Sequence, residues 1–186
     1  TSLSGTQKFD FVIIGGGATG VELAGEMALY TRKLCKEHGL DPSYVTIDLI
    51  EANHRVLSQF PPRFSEKVQN RLRDLDVNLF LNQKVLKNKK GELELKNMDI
   101  RSKTIIWTAG MKTHSLYKKF KVFDCDERGK VAVTEELKAV GCSNIYIAGD
   151  AAKTLHCGLA PIALWHGEYI ARNIVRNIDG KKTKPY

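Results

Sequence analysis

Three spaced glycines, Gly15-x-Gly17-x-x-Gly20, constrain this chain more than any other feature of its sequence. They follow an apolar run at residues 9–14, which predicts a buried strand, and they precede a segment at residues 18–36 with helical spacing of apolar side chains. The first glycine permits a sharp turn, the second lets a pyrophosphate approach the backbone, and the third lets the helix pack closely on the strand. The helix N-terminus offers free N–H groups to the phosphates. Residues 11–51 are therefore predicted to form a dinucleotide-binding β-α-β unit.

An acid, Glu51, ends the second predicted strand at residues 45–51. A carboxylate there accepts hydrogen bonds from both ribose hydroxyls and repels a 2′-phosphate, which favours NADH over NADPH. Arg55 is the competing signal, because an arginine near this point would serve a 2′-phosphate. The predicted cofactor residues of this unit are Gly15, Gly16, Gly17, Thr19, Gly20 and Glu51.

The next segments extend the alternation of helix and strand up to Gly110. Pro61-Pro62 opens a helix with one apolar stripe, and residues 77–81 read as a strand. A β-hairpin is predicted around Lys90-Gly91, and residues 104–107 form a further strand that ends in Ala109-Gly110. The stripe consists of Phe64, Val68, Leu72 and Leu75. Residues 1–110 are thus predicted to be an α/β, Rossmann-like domain with a parallel sheet and an added β-hairpin.

Residues 111–186 have a different character and are predicted to be part of a second domain. Short strands are expected at residues 130–133 and 144–147, the second ending in Gly149-Asp150, and a helix at residues 159–178. Two strands and one helix bury too little apolar surface to be stable alone. We therefore expect this segment to pack against the first domain, a partner chain or a further segment.

Four stretches of the sequence resemble type II NADH dehydrogenases, which are flavoproteins with two dinucleotide-binding domains. These stretches are Phe11–Glu26, Ile50–Leu57, Trp107–Gly110 and Tyr146–Ala152. The resemblance implies an FAD domain with an inserted NADH domain. It also implies hydride transfer from NADH to FAD, followed by reduction of a quinone without proton pumping.

The resemblance also assigns roles to individual residues. Glu22 corresponds to the glutamate beside the stacked nicotinamide and flavin, where it would position substrate or relay a proton. The alternative for Glu22 is helix capping in the first turn of the helix, and Glu26 has the same two interpretations. Asp150 corresponds to the FAD-binding aspartate. The other cofactor-binding residues implied are Ala109, Gly110 and Gly149.

Two departures from that family qualify the resemblance. The family's first FAD motif and its C-terminal membrane region have no counterpart here, and the chain begins at Thr1. We therefore expect a fragment. We expect this fragment to bind NADH and to hold FAD weakly or not at all. Trp165-His166 stands where the family commonly has paired glutamines. These two residues would line a quinone pocket or, equally, be a core tryptophan and a partly exposed histidine.

Composition narrows the class of protein further. The net charge of +8 comes from basic residues spread along the chain without a nucleic-acid-binding motif. This leaves a solvated basic surface or attraction to an anionic membrane surface. Four cysteines, none at C-x-x-C spacing, disfavour a zinc site and disulfide-reductase chemistry. We expect no signal peptide and no membrane span, and a location in the cytoplasm or on the inner face of a membrane.

Three functions remain as hypotheses. The first is the NADH-binding portion of a flavoprotein that passes electrons from NADH through FAD to a quinone. The second is a soluble NADH oxidase or electron-carrier reductase of the same superfamily. The third is a non-catalytic NADH-binding module. The partners expected are NADH and a quinone or other acceptor, with no nucleic acid and with a homodimer left open.

Overall fold

A computed structural model describes residues 8–155 and 158–186 of the chain. It consists of two compact units that divide between Gly110 and Met111. The first unit contains β1 (Phe9–Ile14), α1 (Ala18–His38), β2 (Val45–Ile50), α2 (Pro62–Asp74), β3 (Val77–Phe80), β4 (Val85–Lys89), β5 (Glu92–Leu95), β6 (Asp99–Arg101) and β7 (Thr104–Trp107). A 3-10 helix at Pro42–Tyr44 precedes β2. The assignment of the two units to an NADH domain and part of an FAD domain stays a prediction.

A four-stranded parallel sheet forms the centre of the first unit, in the order β3-β2-β1-β7. The chain runs from β1 outward through β2 to β3, and then returns to the other side of β1 as β7. Ile14 at the end of β1 lies opposite Ile50 in β2 and Trp107 in β7, so these strands end at the same edge. The predicted α/β class with a parallel sheet is confirmed.

Each face of the parallel sheet packs against a different layer because successive strand residues point to opposite sides. One face, which includes Ile13 and Leu49, packs against α1 and α2. The other face, which includes Val12 and Ile14, packs against the antiparallel strand β5. The buried residues of the first core are Ile13, Ala24, Ala28, Ile47, Leu49, Val56, Leu57, Leu72, Leu75 and Val77. The helices thus cover one face and the added strands cover the other.

The predicted hairpin is confirmed, and it belongs to a larger sheet than the sequence indicated. Strands β4, β5 and β6 form a three-stranded antiparallel sheet. The third strand, Asp99–Arg101, was not predicted because Ile100 is its one apolar residue, too little for an alternating pattern. Ile100 packs at the edge of the second core cluster, beside Leu93 and Leu95.

The two helices of the first unit match the expected boundaries closely. Helix α1 ends at Gly39, which adopts φ +64° and whose N–H bonds the carbonyls of Cys35 and Lys36. In α2, Leu72 of the predicted apolar stripe is buried, whereas Phe64 of the same stripe is 46% exposed. Phe64 lies in the first turn, where its ring contacts Phe60 at 5.4 Å instead of the sheet.

The second unit contains short elements around one long helix. They are α3 (Leu116–Lys119), β8 (Val131–Ala132), a 3-10 helix at Gly149–Ala151, β9 (Ala152–Lys153) and α4 (Ala160–Ile178). The pair β8-β9 is parallel. Val131, Ala139, Ile147 and Ala152 form its buried apolar cluster. The long helix matches its predicted bounds, and the expectation that this unit packs against another segment stays a prediction.

The predicted strand at residues 144–147 was wrong. In the structure only Tyr146 pairs there, as an isolated antiparallel bridge with Lys138. Its neighbour on the pairing side, Leu137, has φ +57°, a left-handed conformation that ends an extended ladder after one pair. The apolar character of the segment therefore reflects burial, as for Ile147, and not a continuous strand.

The cysteines and the long helices give two further findings. Cys35 is buried, and Cys125 and Cys142 pack at the edge of the second-unit core, all three as free thiols. Cys157 lies outside the described residues.

Across residues 8–155 and 158–186, no helix combines the length and the apolar character required to cross a membrane.

Candidate functional site

The glycine turn lies at the edge of the parallel sheet where the strand order reverses. Strand β1 has β2 on one side and β7 on the other, and the chain leaves β1 toward β2. In open α/β sheets, ligands bind in the crevice that this arrangement creates at the carboxyl ends of the strands. Gly15 continues the sheet by donating to the carbonyl of Ile50 at 2.8 Å, and α1 begins three residues later. The topology therefore places the predicted motif at the point where a binding crevice is expected.

Gly15 and Gly20 are required by the protein's own packing. Gly15 has φ +112°, and a Cβ on it would lie 2.8 Å from the backbone nitrogen of Ala109. A Cβ on Gly20 would overlap the carbonyl oxygen of Gly15. These two glycines thus allow β1, β7 and the first turn of α1 to approach closely, which is the structural part of the expected motif.

Gly17 is different, since no packing contact within residues 8–155 and 158–186 requires its missing side chain. Its φ of −74° is open to any residue, and a Cβ on it would meet no atom within 4 Å. Gly17 precedes Ala18, the first residue of α1, and no side chain caps this helix end. The first N–H groups of a helix lack intrahelical partners and carry partial positive charge. An anionic group can therefore reach this backbone, and a side chain at Gly17 would obstruct it.

Glu51 is tied to the glycine turn by short hydrogen bonds. The N–H of Gly16 donates to its Oε2 at 2.6 Å, and the backbone and side-chain amides of Asn53 both donate to its Oε1 at 2.7 Å. The residue is only 9% exposed. A Cβ on Gly16 would lie 2.9 Å from Oε2, so Gly16 must be glycine for this contact to form. The carboxylate is thus fixed at the turn, and its ribose-binding role stays a prediction.

Thr108 holds the turn from the other side, and sequence reasoning missed it. Its hydroxyl lies 2.8 Å from the carbonyl of Ile14 and 3.1 Å from that of Gly15. Its backbone N–H also donates to Ile14, at 2.8 Å. The motif around it, with Ala109 partly buried and Gly110 at φ +79°, was noted in the sequence. Its contact with Gly15 spans 93 residues, and no local pattern reveals such a pairing.

Glu22 does not lie where the sequence argument put it. The structure places no acid in the first turn of α1, which begins at Ala18, so Glu22 falls in the second turn. The prediction of first-turn helix capping by Glu22 was wrong, because the effect of the helix dipole on a carboxylate falls off beyond the first turn. Glu22, Glu26 and Thr19 are exposed. The catalytic role of Glu22 stays a prediction.

Arg55, the competing candidate for a 2′-phosphate, is engaged within its own loop. Its guanidinium donates to the carbonyl of Ser58 at 2.6 Å, to that of Phe60 at 2.8 Å and to the hydroxyl of Ser65 at 2.6 Å. Arginine recognises phosphate by presenting several N–H groups together. In this arrangement those groups are directed at the loop.

The second unit brings Gly149 and His166 together. The N–H of Gly149 donates to Nδ1 of His166 at 3.0 Å, and a Cβ on Gly149 would lie 3.1 Å from the Cβ of Ala163 in α4. His166 is fully buried, its Nε2 has no hydrogen-bond partner among the described residues, and its ring contacts that of Tyr186 at 4.7 Å. Burial lowers the pKa of the His166 imidazole, which keeps Nδ1 available as an acceptor.

Trp165 and Asp150 complete the predicted residues of the second unit. Trp165 is 57% exposed, so the alternative of a core tryptophan beside a partly exposed histidine was wrong in both parts. The reason is the helical rotation of about 100° per residue, which turns His166 inward and Trp165 outward. Asp150 is half-buried in the 3-10 helix that follows Ala148. The quinone role of Trp165 and His166 and the flavin role of Asp150 stay predictions.

Comparison with known proteins connects these features to one family. The curated type II NADH:quinone oxidoreductase of Staphylococcus aureus is 29% identical over 191 residues, which cover 94% of this chain and 46% of the relative. The chain therefore spans about half the length of the curated relatives that it matches.

Solved structures share the fold. The NDH2 structure of Plasmodium falciparum in complex with NADH has a TM-score of 0.69 at 24% identity, over 80% of this chain and 32% of that one. A water-forming NADH oxidase from Lactobacillus brevis bound to NADH has the same TM-score at 21% identity, over 96% of this chain and 38% of that one. At these identities the likeness is one of fold. The model of the family described as "Pyridine nucleotide-disulphide oxidoreductase" matches residues 3–167, a range that includes the glycine turn, Glu51 and Gly149, and the chain belongs to this family.

Proposed function

We propose that this chain is the NADH-binding portion of a flavoprotein oxidoreductase that passes a hydride from NADH to FAD and then electrons to a quinone. The observation that carries the proposal is Gly17, a glycine that neither the backbone conformation nor the packing requires. It stands at the uncapped N-terminus of a 21-residue helix, at the point where the sheet order reverses. No packing contact of the described residues requires a glycine there, and the missing side chain leaves this backbone open to a bound group.

The residues around Gly17 fit a dinucleotide. The first N–H groups of α1 would bind the pyrophosphate, and Gly17 leaves room for it. The carboxylate of Glu51 would accept hydrogen bonds from the adenosine ribose, since each of its oxygens has two lone pairs and the described residues use only part of them. NAD, when bound, supplies the nicotinamide that carries the hydride. The chain's own contribution is to fix that cofactor and to exclude a 2′-phosphate.

The preference for NADH over NADPH follows from charge. Glu51 is held at the turn by Gly16 and Asn53, so a 2′-phosphate on the ribose would face a fixed carboxylate. Arg55 is directed at its own loop and offers the phosphate no compensation in this arrangement. We therefore propose NADH as the electron donor.

The flavin site of the second unit fits FAD in part. Asp150 would accept hydrogen bonds from hydroxyl groups of the ribityl chain, and Gly149 presents backbone without a side chain beside α4. Within the described ranges, β1 to α1 is the one place where a glycine turn connects a strand directly to a helix. We therefore propose that this chain alone binds NADH, and that FAD is held in a protein that supplies a second such turn.

Quinone is proposed as the acceptor because the curated relatives carry the name NADH:quinone oxidoreductase. Peripheral attachment to a membrane belongs to the same proposal. The similarity to a water-forming NADH oxidase favours oxygen as the alternative acceptor, although that likeness extends only to the fold.

Calorimetric titration of the chain with NADH, NADPH and ADP-ribose tests the binding part of the proposal. We expect NADH and ADP-ribose to bind with similar affinity and NADPH to bind at least about tenfold more weakly. If none of the three binds, the site assignment fails.

The acceptor is tested in a flavin-loaded protein that contains this chain. Reduction of a short-chain quinone should be faster than reduction of oxygen or of a redox protein at equal NADH. Faster oxygen reduction would support an oxidase instead. A containing protein without a flavin spectrum would support a non-catalytic NADH-binding module.

A further inference from the structure

The loop between β2 and α2, residues 51–61, is fastened by a clamp that consists of Arg55 and Ser65. The Arg55 guanidinium donates to the Ser65 hydroxyl at 2.6 Å and to three loop carbonyls, those of Ser58 at 2.6 Å, Phe60 at 2.8 Å and Leu57 at 3.4 Å. A planar guanidinium can satisfy several acceptors at once because its N–H groups point in fixed directions. One side chain thus ties the second half of the loop to the first turn of α2.

Ser65 is the buried half of the clamp. It is 1% exposed, and its hydroxyl donates to the carbonyl of Val56 at 2.7 Å while it accepts from Arg55. The N–H of Val56 donates to Oε1 of Gln69 at 3.3 Å. Both backbone groups of Val56 are therefore anchored to α2.

The clamped loop touches the glycine turn at one point. The N–H of Leu57 donates to the carbonyl of Gly16 at 2.7 Å. Leu57 is buried and has φ +50°, an unfavourable conformation for leucine that persists only because its surroundings hold it. On its other side, Gly16 donates to the Glu51 carboxylate at 2.6 Å. The peptide groups around Gly16 are thus held between the loop and the ribose-binding candidate.

We infer that Arg55 and Ser65 are positioning residues for dinucleotide binding and for the choice between NADH and NADPH. They hold Leu57 against Gly16, and Gly16 in turn orients the carboxylate of Glu51. The same clamp directs the one arginine of residues 51–61 toward backbone carbonyls and away from the side where a 2′-phosphate would lie in the proposed site. The inference rests on the proposed NADH site at the glycine turn.

A direct role for Arg55 as a nucleotide ligand is the competing explanation, and the two differ in their consequences. A positioning residue affects NADH binding through Gly16, and it affects the choice between NADH and NADPH through the carboxylate that Gly16 orients. A ligand of the 2′-phosphate acts on NADPH alone. Ser65, which is buried and cannot touch a nucleotide, should matter only if the clamp positions the site.

The test compares Ser65→Ala, Arg55→Met and Arg55→Lys with the unmodified chain, by calorimetric titration with NADH and NADPH and by thermal unfolding. The matched control is Arg32→Met. Arg32 pairs with Asp76 and donates to the carbonyl of Asp74, so it joins α1 to the end of α2 in the same unit without contacting the glycine turn. The control reports how much NADH affinity changes when an arginine contact with α2 is lost elsewhere.

We expect Ser65→Ala and Arg55→Met each to weaken NADH binding about tenfold, the effect of disturbing one hydrogen bond in a site. Arg55→Lys should bind NADH as weakly as Arg55→Met, because an ammonium group cannot donate to the Ser65 hydroxyl and the loop carbonyls in the same geometry. Arg32→Met should keep its NADH affinity. Ser65→Ala removes one of the acceptors that hold Arg55 and also loosens the carboxylate, while Arg55→Met has no cation left, so the ratio of the NADPH to the NADH dissociation constant should fall further in Ser65→Ala.

Unchanged NADH affinity in folded Ser65→Ala and Arg55→Met would overturn the inference, as would a selective loss of NADPH binding in Arg55→Met. Wild-type NADH affinity in Arg55→Lys would also overturn it. If the unmodified chain fails to bind NADH, the proposed function fails. If it binds NADH and the variants bind equally well, the proposed function stands and the clamp alone is refuted.

Discussion

Replacement of Gly17 by valine should leave the fold nearly intact while NADH binding is lost. Gly17 has φ −74° and ψ −177°, an extended conformation that valine adopts readily. Its Cβ direction is free of protein atoms within 4 Å. The remaining cost is that valine is a poor residue at a helix N-cap, worth about 1 kcal/mol. For a chain of this size that corresponds to a fall of roughly 2–4 °C in the melting temperature.

The effect on binding is larger because the valine side chain occupies the space assigned to the pyrophosphate. Each charge-assisted hydrogen bond from backbone N–H to phosphate contributes about 1.5–3 kcal/mol. Loss of even one such bond weakens binding by roughly 10- to 150-fold. Since the first N–H groups of α1 act together, we expect Gly17→Val to fall at or beyond the upper end of that range.

The assay is calorimetric titration of NADH into the unmodified chain and into Gly17→Val, with melting followed by circular dichroism. Gly25→Ala is the matched control, because Gly25 lies in the same helix and its Cβ would meet only Leu72 Cδ2, at 4.0 Å. That control should keep its NADH affinity, and its melting temperature should be equal or slightly higher because alanine is the better residue in a helix interior. A folded Gly17→Val variant that binds NADH within twofold of the unmodified chain would refute the assignment of the site.

Three further changes test other parts of the structure. Gly20→Ala places a Cβ on the carbonyl of Gly15, so it should lower stability by at least about 2 kcal/mol and melting by roughly 4–8 °C. Glu51→Gln presents an uncharged amide to the N–H groups of Gly16 and Asn53. It should therefore weaken NADH binding about tenfold and reduce the difference between the NADH and NADPH affinities. His166 has a lowered pKa in the folded chain, so its contribution to stability is fully present above pH 6.5 and is lost as the pH falls toward the folded value.

Each of these expectations has a result that contradicts it. Melting of Gly20→Ala at the temperature of the unmodified chain would show that α1 does not press on β1 at this glycine. An unchanged ratio of NADH to NADPH affinity in Glu51→Gln would remove the carboxylate from the specificity argument. For His166, chemical unfolding between pH 7.5 and 5 is compared with His166→Asn. Equal pH dependence in both proteins would show that the imidazole does not titrate on unfolding.

Much of the first unit could be predicted because its signals are local. The apolar run of β1, the glycine spacing and the helical period of α1 each report the conformation of neighbouring residues. Glu51 could be located from its position at the end of β2. The weaker signals failed where conformation depended on remote contacts. Strand β6 has one apolar residue, and the segment around Tyr146 lost its strand because Leu137, outside that segment, has positive φ.

The sequence by itself determined that a strand, a glycine turn and a helix follow one another, since backbone freedom and side-chain period are properties of consecutive residues. Tertiary structure alone decided which partners the candidate site residues of each unit have. In the first unit, Thr108 contacts Gly15 across 93 residues and Arg55 donates to Ser65; in the second unit, buried His166 accepts from Gly149. These contacts depend on which groups come close when the strands align and water is excluded. Buried polar groups then form hydrogen bonds with the partners that lie within reach.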